Sequence, residues 1–556
     1  MLSSGTASAL ALFILVTAGL LTIPVALLLV WLYGRAVRRD MMAASRTDVD
    51  APAPSSPTVP PPSGPLPPLL LENIDAGSSG SEAYARARRS LNRAVLVYAI
   101  AGVAYALPFA MVWSYLADGA IFAWRREILI AGVYYWPTVV AISLIAATSR
   151  TERARIYALL FAGLALFSIY ELARSPNLTV GQLLLFWLLT NGPASLLIAA
   201  LLFRGVRAVA SLVLAFLLVI VTGSMLFASA VFSRNQGIAG AVEIGSHIGL
   251  GGSGTFYGTY VLGLLLFAVP GWFLLRYFAS AHRRKRTSDQ SLMLDSVYFI
   301  FAFEQSIGLD PRGKFVFTGL VAFLAYKLVK WVGFRLLRIE PAQPAPVLLL
   351  LRVFSLDKRS ERLFDSLTKW WRRAGSIVMI AGPDLVRSTI QPHELLEFIG
   401  GKISREFVAD ASQLEMRMTS LDLQPDPDGR YRVNQFFCHS DSWQATMREL
   451  AAHSSVVLMD LRGLSSKNQG CIYELRQLLS SVDLRRAVFV IDATTDRPFL
   501  EATIQQLWRE VAPQSPNLQH SHPTVKLYSG SLDTAQGFRQ LVQRLLAPAE
   551  QPVPAQ

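Results

Sequence analysis

The chain has 556 residues, of which 52% are hydrophobic and only 16% are charged, and its mean hydropathy is +0.38. This composition excludes a purely water-soluble multidomain protein, so much of the chain is expected to face lipid. The net charge of +13 lies before about residue 341, because the remainder is nearly charge-balanced, and nucleic-acid binding is therefore not expected.

Long uncharged runs fill the chain from its start to about residue 337. A helix needs about 20 apolar residues to span the hydrocarbon core, and by that measure the sequence predicts seven transmembrane helices in a lipid bilayer. They cover approximately Leu10–Tyr33, Ala94–Leu116, Ile128–Ala147, Ile156–Leu172, Gln182–Phe203, Val209–Phe232 and Tyr260–Phe278.

Basic residues set the predicted orientation. No basic residue precedes the first span, and Arg35, Arg38 and Arg39 follow it, which indicates an uncleaved anchor with its N-terminus outside. With alternating crossings, most basic residues fall in the inner loops, including the cluster Arg283–Arg286. The positive-inside rule then places the C-terminal half in the cytoplasm.

Three stretches of the apolar half are not ordinary spans. Asp50–Pro68 is rich in proline and serine and predicts an extended tether. Ser291–Leu309 and Lys314–Leu337 are apolar but short between charges, so they are either a hairpin or helices that lie in the membrane interface. The predicted divisions are an anchor (1–34), a Pro-rich linker (35–90), a six-helix region (91–280), a basic segment with these helices (281–340), a cytoplasmic domain (341–548) and a disordered tail (549–556).

From Pro346 the pattern changes to alternating strands and helices, and VLLLLRVF at Val347–Phe354 is typical of a strand buried on both faces of a parallel sheet. Residues 384–441 form a long insertion before the next helix. The sequence predicts an α-helical transmembrane bundle followed by an α/β domain with a doubly wound, five-stranded parallel sheet of TIR or flavodoxin-like type. The predicted strands are Val347–Phe354, Ser376–Ala381, Ser455–Leu461, Ala487–Asp492 and Thr524–Tyr528.

In a doubly wound sheet the ligand crevice lies beyond the carboxyl ends of the strands. Glu474 falls early in the helix after the third strand, where a carboxylate can serve as an electrostatic or acid–base group or simply favour the helix dipole. Polar residues also follow the first and third strands. The candidate binding residues at these strand ends are Phe354, Ser355, Asp357, Asp460 and Ser465.

No metal site is expected. His520 and His522 lack a nearby carboxylate set, and Cys438 and Cys471 are not in a C-x-x-C spacing.

The order of elements, the segment Phe354–Asp357 after the first strand, and the segment Cys471–Leu475 (CIYEL) together resemble a TIR domain, with Gly470 where that family has tryptophan. The resemblance covers about Pro346 to Leu546. In NAD-cleaving members of the family the glutamate of this pattern is catalytic, so the resemblance implies that Glu474 stabilises the positive charge on the ribose as nicotinamide leaves. It also implies that Phe354, Ser355 and Asp357 flank the nucleotide.

The whole chain resembles bacterial multi-pass proteins with a C-terminal TIR-like domain, which implies the bacterial inner membrane as its location. The favoured function is signalling or defence at the membrane, with NAD as a candidate substrate, no required cofactor, self-association through the TIR-like domain and an unidentified protein partner. A non-enzymatic adaptor or scaffold is the alternative. A permease with a regulatory tail is the third hypothesis, and the scarcity of ionisable residues in the seven predicted spans argues against it.

Overall fold

The computed structural model describes residues 4–42, 65–74, 82–119, 124–147, 150–174, 177–201, 207–309, 317–337, 345–352, 357–382, 390, 392–532 and 534–549. These residues form a helical bundle followed by an α/β domain. The bundle helices are α1 (Ser4–Met42), α2 (Glu82–Asp118), α3 (Trp124–Tyr134), α4 (Trp136–Ala146), α5 (Arg150–Arg174), α6 (Val180–Leu201), α7 (Arg207–Phe232), α8 (Asn235–His247), α9 (Gly252–Arg283), α10 (Asp289–Leu309) and α11 (Thr318–Leu336).

Six of the described helices, namely α1, α2, α5, α6, α7 and α9, are long and apolar enough to cross a membrane. They overlap six of the seven predicted spans. The remaining predicted span, Ile128–Ala147, falls on α3 and α4, which meet at a bend of 49°. The bend lies at Tyr135, and Pro137 in the first turn of α4 has no backbone N–H with which to continue the ladder of α3.

The helices α10 and α11 form an antiparallel hairpin inside the bundle. Tyr298 stacks on Tyr326 with ring centroids 3.8 Å apart, and both rings, like Phe301, are fully buried. Gly319 lies directly against the backbone of α10, where a Cβ would come within 2.1 Å of the Ala302 carbonyl oxygen. The hairpin therefore packs among the other helices.

The α/β domain contains the remaining helices, α12 (Asp357–Trp371), α13 (Pro392–Ile399), α14 (Ala411–Thr419), α15 (Trp443–His453), α16 (Gln469–Ser481), α17 (Arg497–Arg509) and α18 (Ala535–Ala549). Its strands are β2 (Val347–Arg352), β3 (Ser376–Ile380), β4 (Phe407–Val408), β5 (Val433–Cys438), β6 (Val456–Asp460), β7 (Ala487–Val490) and β8 (Thr524–Tyr528), and β1 (Leu70–Asn73) joins them from the segment between α1 and α2.

All neighbouring strands in the sheet are parallel, and their order is β1-β8-β7-β6-β2-β3-β5-β4. The five predicted strands are present as β2, β3, β6, β7 and β8. The prediction of a five-stranded sheet is nevertheless wrong, because β1, β4 and β5 extend it to eight strands. The central strands are buried, as a parallel sheet covered by helices on both faces requires.

The added strand β1 extends the sheet beside β8, with Leu70 opposite Thr524 and Asn73 opposite Leu527. The segment between α1 and α2 therefore lies on the same side of the bundle as the α/β domain. By length and composition, the bent pair α3–α4 can count as one further candidate span besides the six long helices.

The predicted insertion at 384–441 is one of the parts of the domain that dock on the bundle. It contributes β4, β5, α13 and α14, and α13 packs against α9 and α7. Phe398 of α13 meets Tyr33 of α1 edge-on at 5.5 Å. One apolar core consequently runs from the bundle into this segment, and it includes Leu395, Phe407 and Phe437.

Beside that apolar contact lies a charged junction, defined here as Arg372, Arg373, Arg430 and Arg432 with Asp289, Asp426 and Asp428. Arg372 binds the Asp289 carboxylate through two hydrogen bonds of 3.0 and 3.1 Å. Arg432 donates to Asp426, with the closest contact at 2.7 Å, and to the carbonyl oxygen of His282 in α9. Because Arg372 binds Asp289 of α10 and Arg432 binds the His282 carbonyl of α9 across the boundary, the junction specifies how the domain sits on the bundle.

Candidate functional site

The strand order reverses between β2 and β6. From β2 the chain continues to β3 on one side, whereas β6 continues to β7 on the other. Ligands in doubly wound sheets bind where the order reverses, beyond the carboxyl ends of the strands. Arg352, the last residue of β2, lies opposite Asp460, the last residue of β6, so the two ends define a crevice here.

At the end of β6 the polar side chains are paired with each other. Arg462 Nε donates to Asp460 Oδ1 at 2.8 Å, and Nη2 donates to Oδ2 at the same distance. The Arg462 backbone N–H adds a third bond to Oδ1, and both side chains are buried. Two parallel bonds between a guanidinium and a carboxylate form a strong pair, so this pair is a fixed feature of the crevice.

Glu474 lies in the second turn of α16 and is 2% exposed. One turn before it, Cys471 is also buried, and burial together with the charges of Glu474 and Asp460 raises the pKa of the Cys471 thiol. The structure thus brings Asp460, Cys471 and Glu474 together beneath the crevice, with both carboxyl groups closed off from solvent.

Gly470, at the start of α16, lies beside the ring of Trp443 from α15. A Cβ at Gly470 would approach this ring to 3.9 Å, and Trp443 also meets Tyr473 edge-on at 5.3 Å. An indole from a different helix therefore packs against the position where the resemblance leads one to expect tryptophan.

The remaining predicted site residues are either exposed or outside the described residues. Ser465 is exposed, and its hydroxyl donates to Asn468 Oδ1 at 2.8 Å at the start of α16. Asp357 begins α12, but its side chain is outside the described part, as are Phe354 and Ser355. Their roles in binding a nucleotide stay predictions.

Sequence reasoning did not single out Arg462. The sequence feature that could have indicated Arg462 is its position two residues after Asp460, the aspartate that ends a buried strand. At this spacing both side chains can lie at the same end of the strand. In the described residues no group of three or more His, Cys, Asp or Glu side chains could hold a metal ion. The chemistry available at the crevice is therefore that of a buried carboxyl, a guanidinium and the surrounding backbone.

No protein-family model, curated protein or solved structure matches this chain. The TIR resemblance stays a prediction that rests on the short motif around Glu474 and on the order of the elements.

Proposed function

We propose that this chain is a membrane-anchored signalling protein whose cytoplasmic α/β domain binds NAD at the crevice between β2 and β6 and hydrolyses it through Glu474. The observation that carries the proposal is the position of Glu474 on the helix that follows β6, at the reversal of strand order. In flavodoxin-like sheets this is where nucleotides bind.

The proposed chemistry breaks the bond between the ribose and nicotinamide. As nicotinamide leaves, positive charge develops on the ribose, and the Glu474 carboxylate stabilises that charge at close range. Water then adds to the ribose carbon and loses a proton, so the products are nicotinamide and ADP-ribose. The paired side chains of Asp460 and Arg462 keep a fixed arrangement of charge beside the reacting groups.

The burial of Glu474 implies regulation. At 2% exposure its carboxyl cannot touch a substrate, so we assign this conformation to the resting state. The charged junction supplies a route for activation, because a rearrangement of α2, α9 or α10 displaces the partners of Arg373, Arg432 and Arg372 respectively. A stimulus that moves those helices, or clustering of several copies, would then open the crevice.

The test is NAD loss and nicotinamide release by the full chain in liposomes, at low and at high protein density. The full chain is required because a fragment that starts at residue 341 lacks β1. We expect turnover at high density that falls at least a hundredfold in Glu474→Gln, since the amide keeps the shape but removes the charge. Glu501→Gln, on the exposed face of α17, is the matched control and keeps full turnover.

Cys471 provides an independent measurement of opening. Because this thiol is buried and its pKa is raised, maleimide labelling is expected to be slow at low density and at least tenfold faster at high density. The experiment uses Cys438→Ser to remove the other cysteine. If labelling of Cys471 depends on protein density but NAD is not lost, the enzymatic proposal is contradicted. The same result would support a density-dependent opening of the crevice.

The second candidate is a non-enzymatic adaptor that acts by self-association, and the burial of Glu474 favours it. In that case Glu474 is a structural group beside Cys471, and Glu474→Gln leaves clustering unchanged. Absence of turnover in a folded, clustered wild-type protein would select this candidate.

A further inference from the structure

The end of the bundle that faces away from the α/β domain holds a cleft. Near the start of α2, the carbonyl oxygen of Ser90 accepts a hydrogen bond from Arg373 of the domain, whereas Trp113 near the other end of α2 lines the cleft. The α3–α4 pair runs the opposite way, because Ala147 just after α4 binds Lys369 of the domain. The cleft has a volume of about 690 Å³. Small-molecule sites commonly have volumes of about 300–1,000 Å³, so this cleft has the size of a ligand site.

The lining of the cleft changes from polar at its mouth to apolar in its interior. On α3, Arg126 lies in the first turn, and one to two turns further into the bundle follows an apolar wall, defined here as Leu129, Ile130 and Val133. All three residues of the wall are buried. At 1.5 Å per residue, the wall extends to about 10 Å below Arg126. The cleft therefore suits a molecule with one polar and one apolar end.

The helices α5 and α6 repeat this order. Glu171 and Arg174 lie in the last turn of α5. Gln182 lies in the first turn of α6, and Phe186 lies one turn deeper. The Thr179 N–H donates to Gln182 Oε1 at 2.9 Å, and the Gln182 N–H donates to Thr179 Oγ1 at 3.3 Å. Such a reciprocal capping box fixes the start of a helix, so it also fixes this part of the rim.

Two arginines at the mouth are positioned by aromatic rings. The guanidinium carbon of Arg126 lies 6.0 Å from the centroid of the Trp113 ring. That of Arg174 lies 5.4 Å from the centroid of the Tyr170 ring, and Arg174 Nη1 donates to the Tyr170 hydroxyl at 3.0 Å. A guanidinium carries five N–H donors in one plane, and Arg174 is exposed. These contacts therefore orient Arg174 while other N–H groups of the same plane can reach a ligand.

The charges at the mouth select the chemistry of the polar end. Arg126 and Arg174 are positive, and Glu171 of the same lining is negative. Guanidinium groups bind the oxygens of a phosphate through paired hydrogen bonds, whereas a carboxylate accepts hydrogen bonds from an ammonium group. A head group that carries both a phosphate and a primary amine matches all three side chains.

The surroundings of the cleft indicate that the ligand comes from the bilayer. Both α5 and α6 are long and apolar enough to cross a membrane, and their outer side chains Ile169, Leu184 and Leu185 are more than half exposed. Tryptophan and tyrosine at the ends of such helices mark the level of the lipid head groups. In a bilayer, Trp113 and Tyr170 would thus hold the two arginines at the level of the lipid phosphates, with the apolar wall at the depth of the acyl chains.

We propose that the cleft binds one phospholipid whose head group carries a phosphate and a primary amine. The phosphate binds Arg126 and Arg174, and the amine binds Glu171. One acyl chain lies against the apolar wall and Phe186. A soluble phosphate ester with the same head group lacks this apolar contact and binds more weakly. The site is separate from the crevice between β2 and β6, and its occupation does not depend on NAD.

The first experiment compares ligands on the wild-type full chain in detergent, with native mass spectrometry as the measurement of bound lipid. Phosphatidylethanolamine is expected to bind about tenfold more tightly than phosphatidylcholine, because the choline group has no N–H to donate to Glu171. Glycerophosphoethanolamine, which has the head group without acyl chains, is expected to bind at least tenfold more weakly than the lipid, because apolar burial is lost. This comparison needs no variant and so does not depend on the folding of one.

The second experiment tests the side chains. Arg126→Gln and Arg174→Gln should each weaken binding of phosphatidylethanolamine about tenfold, since each removes a charged hydrogen-bond donor. Arg125→Gln is the matched control and should keep the wild-type affinity, because the Arg125 guanidinium lies over the ring of Trp124 instead. Glu171→Gln should abolish the preference for ethanolamine over choline and leave the affinity for phosphatidylcholine unchanged.

Three results would overturn the proposal. The first is wild-type affinity in both arginine variants, and the second is equal binding of the ethanolamine and choline lipids by the wild type. The third is binding of glycerophosphoethanolamine as tight as that of the lipid, which would assign the cleft to a soluble phosphate ester.

Discussion

The two ends of the sheet are both attached to the first half of the chain, but by different contacts. Towards the β4 end, arginines of the charged junction bind Asp289 of α10 and the carbonyl oxygens of His282 in α9 and Ser90 in α2. At the β1 end, the attachment is a main-chain ladder that includes Leu70 N–H to Pro523 O at 2.9 Å and Ile74 N–H to Leu527 O at 2.8 Å. A buried ion pair requires two particular side chains, whereas main-chain hydrogen bonds form with many different sequences. The junction should therefore be the end that is sensitive to single substitutions.

The largest effect is expected for Arg432→Ala. Asp426 has a fully buried carboxylate, and removal of its guanidinium partner leaves that charge uncompensated, a change that costs about 3–5 kcal/mol. Unfolding of the detergent-solubilised protein by heat or denaturant measures the loss. A loss below about 1 kcal/mol would mean that the buried Asp426 carboxylate does not depend on Arg432 for its compensation.

The double variant Arg432→Met with Asp426→Leu sharpens the same test. Replacement of a buried ion pair by apolar groups of similar volume is often neutral or stabilising, so most of the stability lost in Arg432→Ala should return. If the double variant is as unstable as the single one, the bond from Arg432 to His282 rather than the charge pair is what matters.

At the other end of the sheet, Glu72→Pro should cost about 2 kcal/mol, because proline removes a ladder donor from a strand. Glu72 lies midway between the two residues whose N–H groups donate to β8, so its own N–H faces the same way. Glu72→Thr is the control, which retains the N–H and suits a strand. Equal stability of the two variants would show that β1 adds nothing to the sheet.

A smaller effect is expected for Trp508→Phe. The indole N–H of Trp508 in α17 donates to the carbonyl oxygen of Pro67, just before β1, at 3.0 Å. Loss of one such bond costs about 1 kcal/mol, and protease cleavage between α1 and β1 should become faster. Unchanged cleavage would indicate that the ladder alone holds β1 in place.

The smallest effect is expected for Arg485→Ala, the matched control for the junction. Arg485 also makes a two-pronged pair with an aspartate, Asp483, but its side chain is 56% exposed. Exposed pairs contribute about 0–1 kcal/mol. A cost similar to that of Arg432→Ala would contradict the explanation based on burial.

The sequence predicted the elements whose pattern is local. The strand β6 is apolar up to its last residue, Asp460, and is buried at every position. The long uncharged helices could be predicted from their length alone. The strand β1 (LLEN) is short and half polar, and β4 has two residues, so neither gives a periodic signal. Each forms a strand only because an adjacent strand of the sheet is available to pair with it.

The same limit applies to the candidate sites. The position of Glu474 after a strand could be predicted, whereas its burial depends on packing from other helices. In α10 the charged residues Asp295 and Glu304 interrupt an apolar pattern, and this concealed the packing of the helix inside the bundle. Their partners Lys330 and Ala194 come from α11 and α6, which only the folded chain brings close.

The pairing of β1 with β8 has a consequence for biosynthesis. The ribosome makes β1 directly after the first helix, but it makes β8, the strand that β1 pairs with, only after the whole bundle and nearly all of the domain. Until then β1 has no partner strand for its main-chain groups. A chain that is cut or stalled before Thr524 keeps two unpaired strand edges, on β1 and β7, and such exposed edges promote aggregation and attract quality-control proteases.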